Sequence, residues 1–503
     1  MEIGDQIWSL LCLHCQDPEA FPHADSPDVR LNKASLSRLA RTSKRMYDIV
    51  QPFVYHYYAT GNLPVKIANG IEKDSTTYPS DDDKLPAFLR TVIQRPDLAA
   101  HATALQLVAS ENLRGCTADV LPVLTAASEV VGLSYGLRIV ESLQKDESAP
   151  YTHPLTYYDA HKREEFRTGV HKWLEELTIL LLPNIERLSI TRDYIAEYFH
   201  LEESGRQLPA LRTVALMGWY HVHEPMALFA AAPRLETLYA IGACALFDNN
   251  CWTEYGPWSL KLAGLRKLTV TDLKPLKDLE LLLECCHALS ELHFSHVHLH
   301  DYWDAAQLML SLAPVKGQLR HLTLTWVPIN YDSDPEEPDP YSYEWTLEYG
   351  KQHDTVDSFR EFVNLEVLVI DQAALCQRED RLIPSDRLVN FLPASIREVH
   401  FYFVYRSFLA ALETLAYEAP RRFPHLRVVH ISLADRIEVH RVKELEDMRC
   451  FTRIAREVGI EVRWGTTQIG GLPWAAVRGL CPASDVTPFF SSYKISSYKR
   501  DVD

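Results

Sequence analysis

One short phrase recurs nine times between residues 183 and 431, and no other feature constrains the fold as tightly. It reads apolar, two variable, apolar, one variable, apolar. Its instances are Ile185/Leu188/Ile190, Leu211/Val214/Leu216, Leu235/Leu238/Ala240, Leu265/Leu268/Val270 and Leu289/Leu292/Phe294, then Leu319/Leu322/Leu324, Leu365/Leu368/Ile370, Ile396/Val399/Phe401 and Leu426/Val429/Ile431. First positions lie 26, 24, 30, 24, 30, 46, 31 and 30 residues apart. The last apolar pair of each phrase has period two, the mark of a strand that buries alternate residues. Between phrases the pattern turns helical. Asp272–Pro275 leads into PLKDLELLLECCHAL, Glu224-Pro225 opens PMALFAAA, Ser385-Asp386 precedes RLVNFL as a cap, and Arg406–Glu418 carries an apolar stripe. A single strand–helix unit leaves its apolar face bare, and stacking covers it. Each of the three buried side chains then contributes roughly 1.5–3 kcal/mol. The expected fold is α/β: a curved right-handed solenoid, parallel sheet inside and helices outside, closed by a capping strand at Gly459–Trp464.

Over roughly 100–465 this pattern resembles an irregular leucine-rich repeat array, whose periods run at about 20–29 residues. Many such repeats carry an asparagine after the strand. It is missing here, so the turns must be satisfied differently. The solenoid proper is placed at 183–465, with a helical linker and the first irregular repeats at 61–182. The 46-residue interval holds an insertion, 330–357, whose YDSDPEEPDPYSYEWTLEYG is acidic and proline-rich and lacks material for a core of its own. Asp81-Asp82-Asp83 marks another exposed connection. The stretch 466–503 is expected to be a partly disordered tail, polar and rich in Ser and Lys from Pro482 onward, with Phe489 and Phe490 able to tack it down.

Residues 1–60 do not fit the repeat. Ile3, Ile7, Leu10 and Leu11 sit at helical spacing, then a proline- and aspartate-rich loop intervenes (Gln16–Asp28). A second helical run follows, with Leu36, Leu39, Ala40, Ser43, Met46 and Tyr47 every three to four positions, and Pro52 is expected to break or kink it. The phrase LSRLARTSKRMYDIVQPFVYHY resembles the second half of an F-box of fungal F-box/leucine-rich repeat proteins, and Ile7–His14 resembles the first half. Arg95–Leu107 is similar to the segment that opens their repeats. Ile3-Gly4 stands where the F-box usually has Leu-Pro, and the loop between the halves is longer than usual.

The resemblance implies a substrate receptor: the F-box docks the Skp adaptor of a cullin-RING ubiquitin ligase, and the repeats hold a protein substrate. By that resemblance Ile3, Ile7, Leu10, Leu36, Leu39, Ser43 and Met46 face the adaptor. Two alternatives stay open, a helical cap that merely seals the first repeat, and a leucine-rich repeat scaffold without a ligase role.

Charge narrows the partners. Lys+Arg 51 against Asp+Glu 68 gives a net −17, which disfavours a general nucleic-acid binder and a polybasic membrane dock. No window approaches the ~20 apolar residues of a membrane span. The opening Met1-Glu2-Ile3-Gly4-Asp5 is acidic where a secretory signal is basic, so a cytoplasmic or nuclear location is expected. Ten cysteines are too sparse for a disulfide framework. Cys12 and Cys15 form a lone C-x-x-C without a second pair, read as reduced thiols, and no metal or cofactor is expected. His293, His296, His298 and His300 with Asp301, and His221 and His223 with Glu224, are read as wet strand faces. Glu175-Glu176 is read as a solvated helix face. No nucleotide loop, nucleophile elbow or zinc-protease motif is present, so no catalytic residue is assigned and no enzyme is expected.

The recognition surface follows from alternation. The variable residue between the last two apolar positions points into the concave face, giving Ser189, Ala215, Tyr239, Thr269, His293, Thr323, Val369, His400 and His430. The outer column runs through Arg187, Lys267, Glu291, His321 and Glu398. The expected substrate contacts are Tyr239, His293, His321, His400, Tyr402 and His430, favouring an acidic or phosphorylated partner as pH falls. Limited proteolysis of the full chain should cut first within 330–357. Replacing that insertion by a short linker should cost little, since closure entropy changes slowly with length; a melting temperature lowered by more than about 8 °C would show that it packs on the array.

Overall fold

The computed structural model describes residues 11–12, 15, 27–59, 85–108, 117–133, 172–194, 199–219, 225–241, 260–271, 276–296, 305–326, 355–375, 384–404, 408–433 and 442–466. The chain is α/β, and its strands follow one another in chain order with helices between them. They are β1 Tyr57–Ala59, β2 Ala104–Val108, β3 Arg187–Tyr194, β4 Thr213–Trp219, β5 Thr237–Ile241, β6 Lys267–Thr271, β7 Glu291–His296, β8 His321–Trp326, β9 Val367–Asp371, β10 Glu398–Val404, β11 Val428–Leu433 and β12 Glu461–Thr466. Two compact units divide within β5, the first running to Tyr239 and the second holding Leu262 and the strands beyond it. In the first unit β1 to β4 pair in sequence, all parallel. In the second, β6 to β12 do the same.

All three positions of all nine phrases are buried. In the second unit the register stacks them into two apolar ladders. One runs Leu268, Leu292, Leu322, Leu368, Val399, Val429 and Val462; the other runs Val270, Phe294, Leu324, Ile370, Phe401, Ile431 and Trp464. A parallel sheet needs cover on its apolar face. The helices Leu276–Glu284, Ala305–Ser311, Arg387–Phe391 and Leu409–Arg422 bring Leu279, Leu308, Phe391 and Leu412 into the same core.

The missing asparagine is replaced by backbone. Just before most of the strands one carbonyl takes two N–H groups from the next repeat. His56 O accepts from Thr103 N and Ala104 N, Thr103 O from Glu186 N and Arg187 N, and Glu186 O from Arg212 N and Thr213 N. The second unit repeats the device at Arg266, Ser290, Arg320, Glu366 and Arg397. Each phrase also starts with a tight turn: Leu211 N donates to Leu208 O at 3.1 Å, Leu235 N to Ala232 O at 3.1 Å, and Leu426 N to Phe423 O at 3.0 Å. Pro209, Pro233 and Pro424 sit second in these turns, where a fixed φ suits them. The side-chain amides of Asn184, Gln318 and Asn364 donate back to the preceding repeat at Ala100 O, Cys286 O and Gly317 O.

Several expectations need correction. The second amino-terminal run is two helices, α1 Pro27–Ala40 and α2 Lys44–Tyr55, separated where Ser43 caps α2 by accepting from Met46 N at 3.1 Å. Pro52 lies inside α2 without ending it. The 1–60 module is not wholly helical, because β1 falls in it, whereas β2 falls where the first irregular repeats were placed, with Ala102, Leu105 and Leu107 buried in the repeat phrase. Alanine in first place hid that instance. The insertion boundary at 357 runs too far: Val356 is buried, its N–H donates to Ala374 O, and the Arg387 guanidinium donates to Val356 O and Asp357 O. Asp386 precedes its helix as expected but accepts from the Asn390 amide instead of capping. β12 stands where the final strand was expected, after a helix Val442–Glu457. There Gly459 (φ +83°) takes the left-handed conformation while Gly459 N donates to Arg456 O and Ile460 N to Ala455 O, closing the helix before the strand. The tail 467–503 lies outside the described residues.

Phe401 is fully buried with its ring edge against Phe408, centroids 4.8 Å apart. Phe401→Ala should cost about 3–5 kcal/mol in urea unfolding, while Val363→Ala, at a side chain 65% exposed, should leave stability unchanged.

Candidate functional site

Opposite the apolar ladders each strand presents its variable residues, and the two units treat that face differently. In the first unit it is interior. Tyr57, Gln106, Arg187, Ser189, Ala215 and Tyr239 are all buried, and the Tyr57 hydroxyl hydrogen-bonds Gln106 Oε1 at 2.6 Å. Tyr239 is therefore core rather than contact surface, which corrects its assignment to the substrate face.

In the second unit the same columns stay partly open. Register aligns Lys267, Glu291 and His321 in the outer column and His400, His430 and Arg463 in the next. His293, His400, Tyr402 and His430 are half-buried and His321 is exposed. In the inner column Thr269 and Thr323 on either side of His293 are buried, while the outer column through Lys267, Glu291, His321, Val367 and Glu398 stays half-buried or exposed throughout. Toward the strand ends Ser295 and Thr325 are also buried and share a hydroxyl hydrogen bond of 2.6 Å.

The charges of this face are already paired. Glu291 takes Lys267 Nζ and His293 Nε2, each at 2.6 Å. Glu398 lies 2.6 Å from His400 Nε2, and Glu461 takes the Arg463 guanidinium at 2.8 Å. These partners stand two residues apart on one strand, on one side of the pleat, save Lys267, which lies on the neighbouring strand. Burial raises the Glu291 carboxyl, but hydrogen bonds from His293 and Lys267 and their charges outweigh it and hold the group down at about 2. His430 is pushed down, first by burial and then by His400, whose ring centroid is 5.0 Å away. Burial, then the Asp371 carboxylate, pushes the Tyr402 phenol up. His430 therefore resists gaining a proton, while His293 and His400 each have a glutamate oxygen 2.6 Å from Nε2. Of the histidines expected to favour acidic partners as pH falls, His430 is thus held toward its neutral form. What the face offers is hydrogen bonding with little net charge.

The adaptor-facing residues separate likewise. Ile3, Ile7 and Leu10 lie outside the described residues. Leu36 is 1% exposed and belongs to the interior of the helix pair, while Ser43 is exposed and caps α2. Leu39 and Met46 are half-buried, while Leu31 and Tyr47 are 63% and 38% exposed. Leu31 was missed because it precedes the recognised phrase. Glu175 and Glu176 are both buried, correcting the solvated helix face; Glu176 accepts from Leu201 N at 3.2 Å, holding the start of the helix Phe199–Ser204. Of the strand-end histidines, 297–300 and 220–224 lie outside the described residues.

One group of metal-ligating type is assembled among the described residues: Cys12, Cys15 and His56. Cys15 donates to Cys12, and against the opposing effect of burial this hydrogen bond, with His56 adding, holds the Cys12 thiol well below its ordinary value. Hydrogen bonding to Cys12 and then burial push Cys15 up. The sequence showed the pair but not the histidine, 44 residues from Cys12. Among the described residues no helix is long and apolar enough to cross a membrane. What the fold defines is a repeating parallel α/β array with a polar face, and neither a family model nor a curated protein matches the chain.

The Glu291 carboxyl, held at about 2 in the fold against 4.5 unpaired, contributes stability that is complete above pH about 4.5 and is lost as pH falls toward 2. Glu291→Gln should flatten the acid limb of a pH–stability curve in that window and lower stability at neutral pH by the corresponding amount. An unchanged acid limb would show that the Lys267–Glu291–His293 cluster carries no such linkage.

Proposed function

We propose that this chain is the substrate-recognition subunit of a cullin-RING ubiquitin ligase, docking a Skp-type adaptor through its amino-terminal helices and a protein substrate through the strand face of its second unit. One observation carries the reading. The F-box-like phrase occupies two contacting helices on which Leu36 and Val50 form an interior while Leu31, Leu39, Met46 and Tyr47 remain open to differing degrees. That division, a small core with apolar side chains left over, is what a module needs when a partner helix completes it. Its junction fits the same reading: α2 passes through His56 directly into β1, joining an adaptor-binding element to the repeats without a linker. The leucine-rich nature of the repeats is part of the proposal, supported by the phrase and its period. In such a subunit the receptor performs no covalent step. It holds the substrate, and the paired charges of the face make shape and hydrogen bonding, rather than net charge, the basis of selection.

The burial of Leu36 and Val50 also favours a second reading, in which the helix pair caps the first strand of an interaction scaffold with no ligase role. Deleting residues 1–60 would remove β1 as well as the helices, so point variants separate the two. Leu31→Asp with Met46→Asp should lower capture of purified Skp adaptor at least about tenfold, equivalent to about 1.4 kcal/mol, with the circular dichroism and melting temperature of the parent retained. If the parent captures no adaptor, or the double variant captures it undiminished, the scaffold stands instead.

A further inference from the structure

The feature that the proposed function leaves unused is the meeting of Cys12, Cys15 and His56. Cys12 is buried and Cys15 half-buried, and one backbone turn joins them, Cys15 N donating to Cys12 O at 2.9 Å. His56 Nδ1 lies 3.4 Å from Cys15 Sγ and 3.9 Å from Cys12 Sγ, and all three ligand atoms fall within 4.8 Å of one another. Zinc held tetrahedrally at about 2.3 Å from sulfur and about 2.0–2.1 Å from nitrogen separates S from N by about 3.6 Å. The two observed distances straddle that value, so binding needs only a small adjustment.

The histidine is held in place from both sides. It is the C-cap of α2, its carbonyl accepts Thr103 N and Ala104 N at the first rung of the sheet, and its ring meets the edge of Phe53 at 5.6 Å. Lys33 is the neighbouring cation. Its Nζ donates to Tyr57 O and stands 5.0 Å over the Tyr57 ring, so its ammonium is engaged with β1 rather than occupying the space between the three ligands.

We propose that Cys12, Cys15 and His56 bind a zinc ion that fastens the amino-terminal segment to the junction of α2 and β1. Two thiolates and an imidazole are the ligand set that selects zinc over magnesium or calcium. Two thiolates cancel the charge of the ion, and any thiol proton still held is released on binding. Three protein ligands leave a fourth position for water or for a residue outside the described ones. The ion closes a loop of over forty residues, between positions whose sequence separation is 44 and 41, and so supplies a link that the short β1 does not.

The test uses the full-length chain purified under reducing conditions without chelator. Elemental analysis should find about one zinc per chain after dialysis, falling at least about tenfold in Cys12→Ser/Cys15→Ser and unchanged in Cys450→Ser. Because the double variant could fail to fold, a second measurement needs no substitution. The metal-stripped parent is alkylated with and without added zinc, and the modified cysteines are mapped by mass spectrometry. Zinc should slow labelling of Cys12 and Cys15 at least about tenfold and leave Cys450 unaffected, with the effect reversed by EDTA. Absence of retained zinc together with no protection overturns the proposal. So does a Cys12–Cys15 disulfide in the freshly purified chain that, once reduced, takes up no metal.

Discussion

One carbonyl per repeat, accepting two N–H groups from the chain a repeat later, is the interaction on which the rest depends. It sits just before most of the strands and fixes where the next strand begins. Because a side chain's face alternates with every residue, a slip of one position would turn each apolar pair toward water. The carbonyls of His56, Thr103, Glu186 and Arg212 in the first unit, and of Arg266, Ser290, Arg320, Glu366 and Arg397 in the second, hold the phrases that follow them in the same phase. Ladders such as Leu268–Leu292–Leu322–Leu368 follow from that phase and do not cause it. The residues supplying these carbonyls share no side-chain type, which is why the device leaves no motif in the sequence.

The constraint also decides what can vary. Between one rung and the next the chain is free to take a helix of five residues, Arg387–Phe391, or of fourteen, Leu409–Arg422, or to absorb the 330–357 insertion. It needs only to return through a tight turn to the next first-position residue. Gly459 shows how tightly the return is set. A left-handed residue there lets the helix end and the strand begin within three positions.

The core was legible because its signal is local and repeated: three apolar positions at fixed offsets, nine times, all of them buried. β1 escaped because a three-residue strand is too short to show alternation, and the phrase of β2 went uncounted because Ala102 gives its first position too little apolar weight, although the region was expected to open the repeats. The site was less legible because exposure depends on what covers a face, and alternation reports only which face it is. Tyr239 and His400 occupy the same column of the phrase, yet one is interior and the other half-open. Glu175 and Glu176 looked solvated for the same reason. The cluster of Cys12, Cys15 and His56 was invisible because it joins positions more than forty residues apart that no period relates.

Under the proposed function, the open face of the second unit shows how a chain of net charge −17 could pair most of the charges on a recognition surface. Placing a glutamate two residues before a histidine or an arginine on one strand brings the pair together on one side of the pleat, as at Glu291/His293, Glu398/His400 and Glu461/Arg463. An exposed pair of this kind adds little to stability, commonly under about 1 kcal/mol. Its consequence lies in recognition. A partner that offers a carboxylate must displace Glu291 from Lys267 to reach its charge, and one that offers a cation must compete with Lys267 for the glutamate. Either exchange returns about as much as it removes, so charge alone selects nothing here. Discrimination falls to His430, Tyr402 and the exposed His321, whose rings combine apolar surface with a polar edge. These are the side chains through which a partner's shape, rather than its charge, can be read.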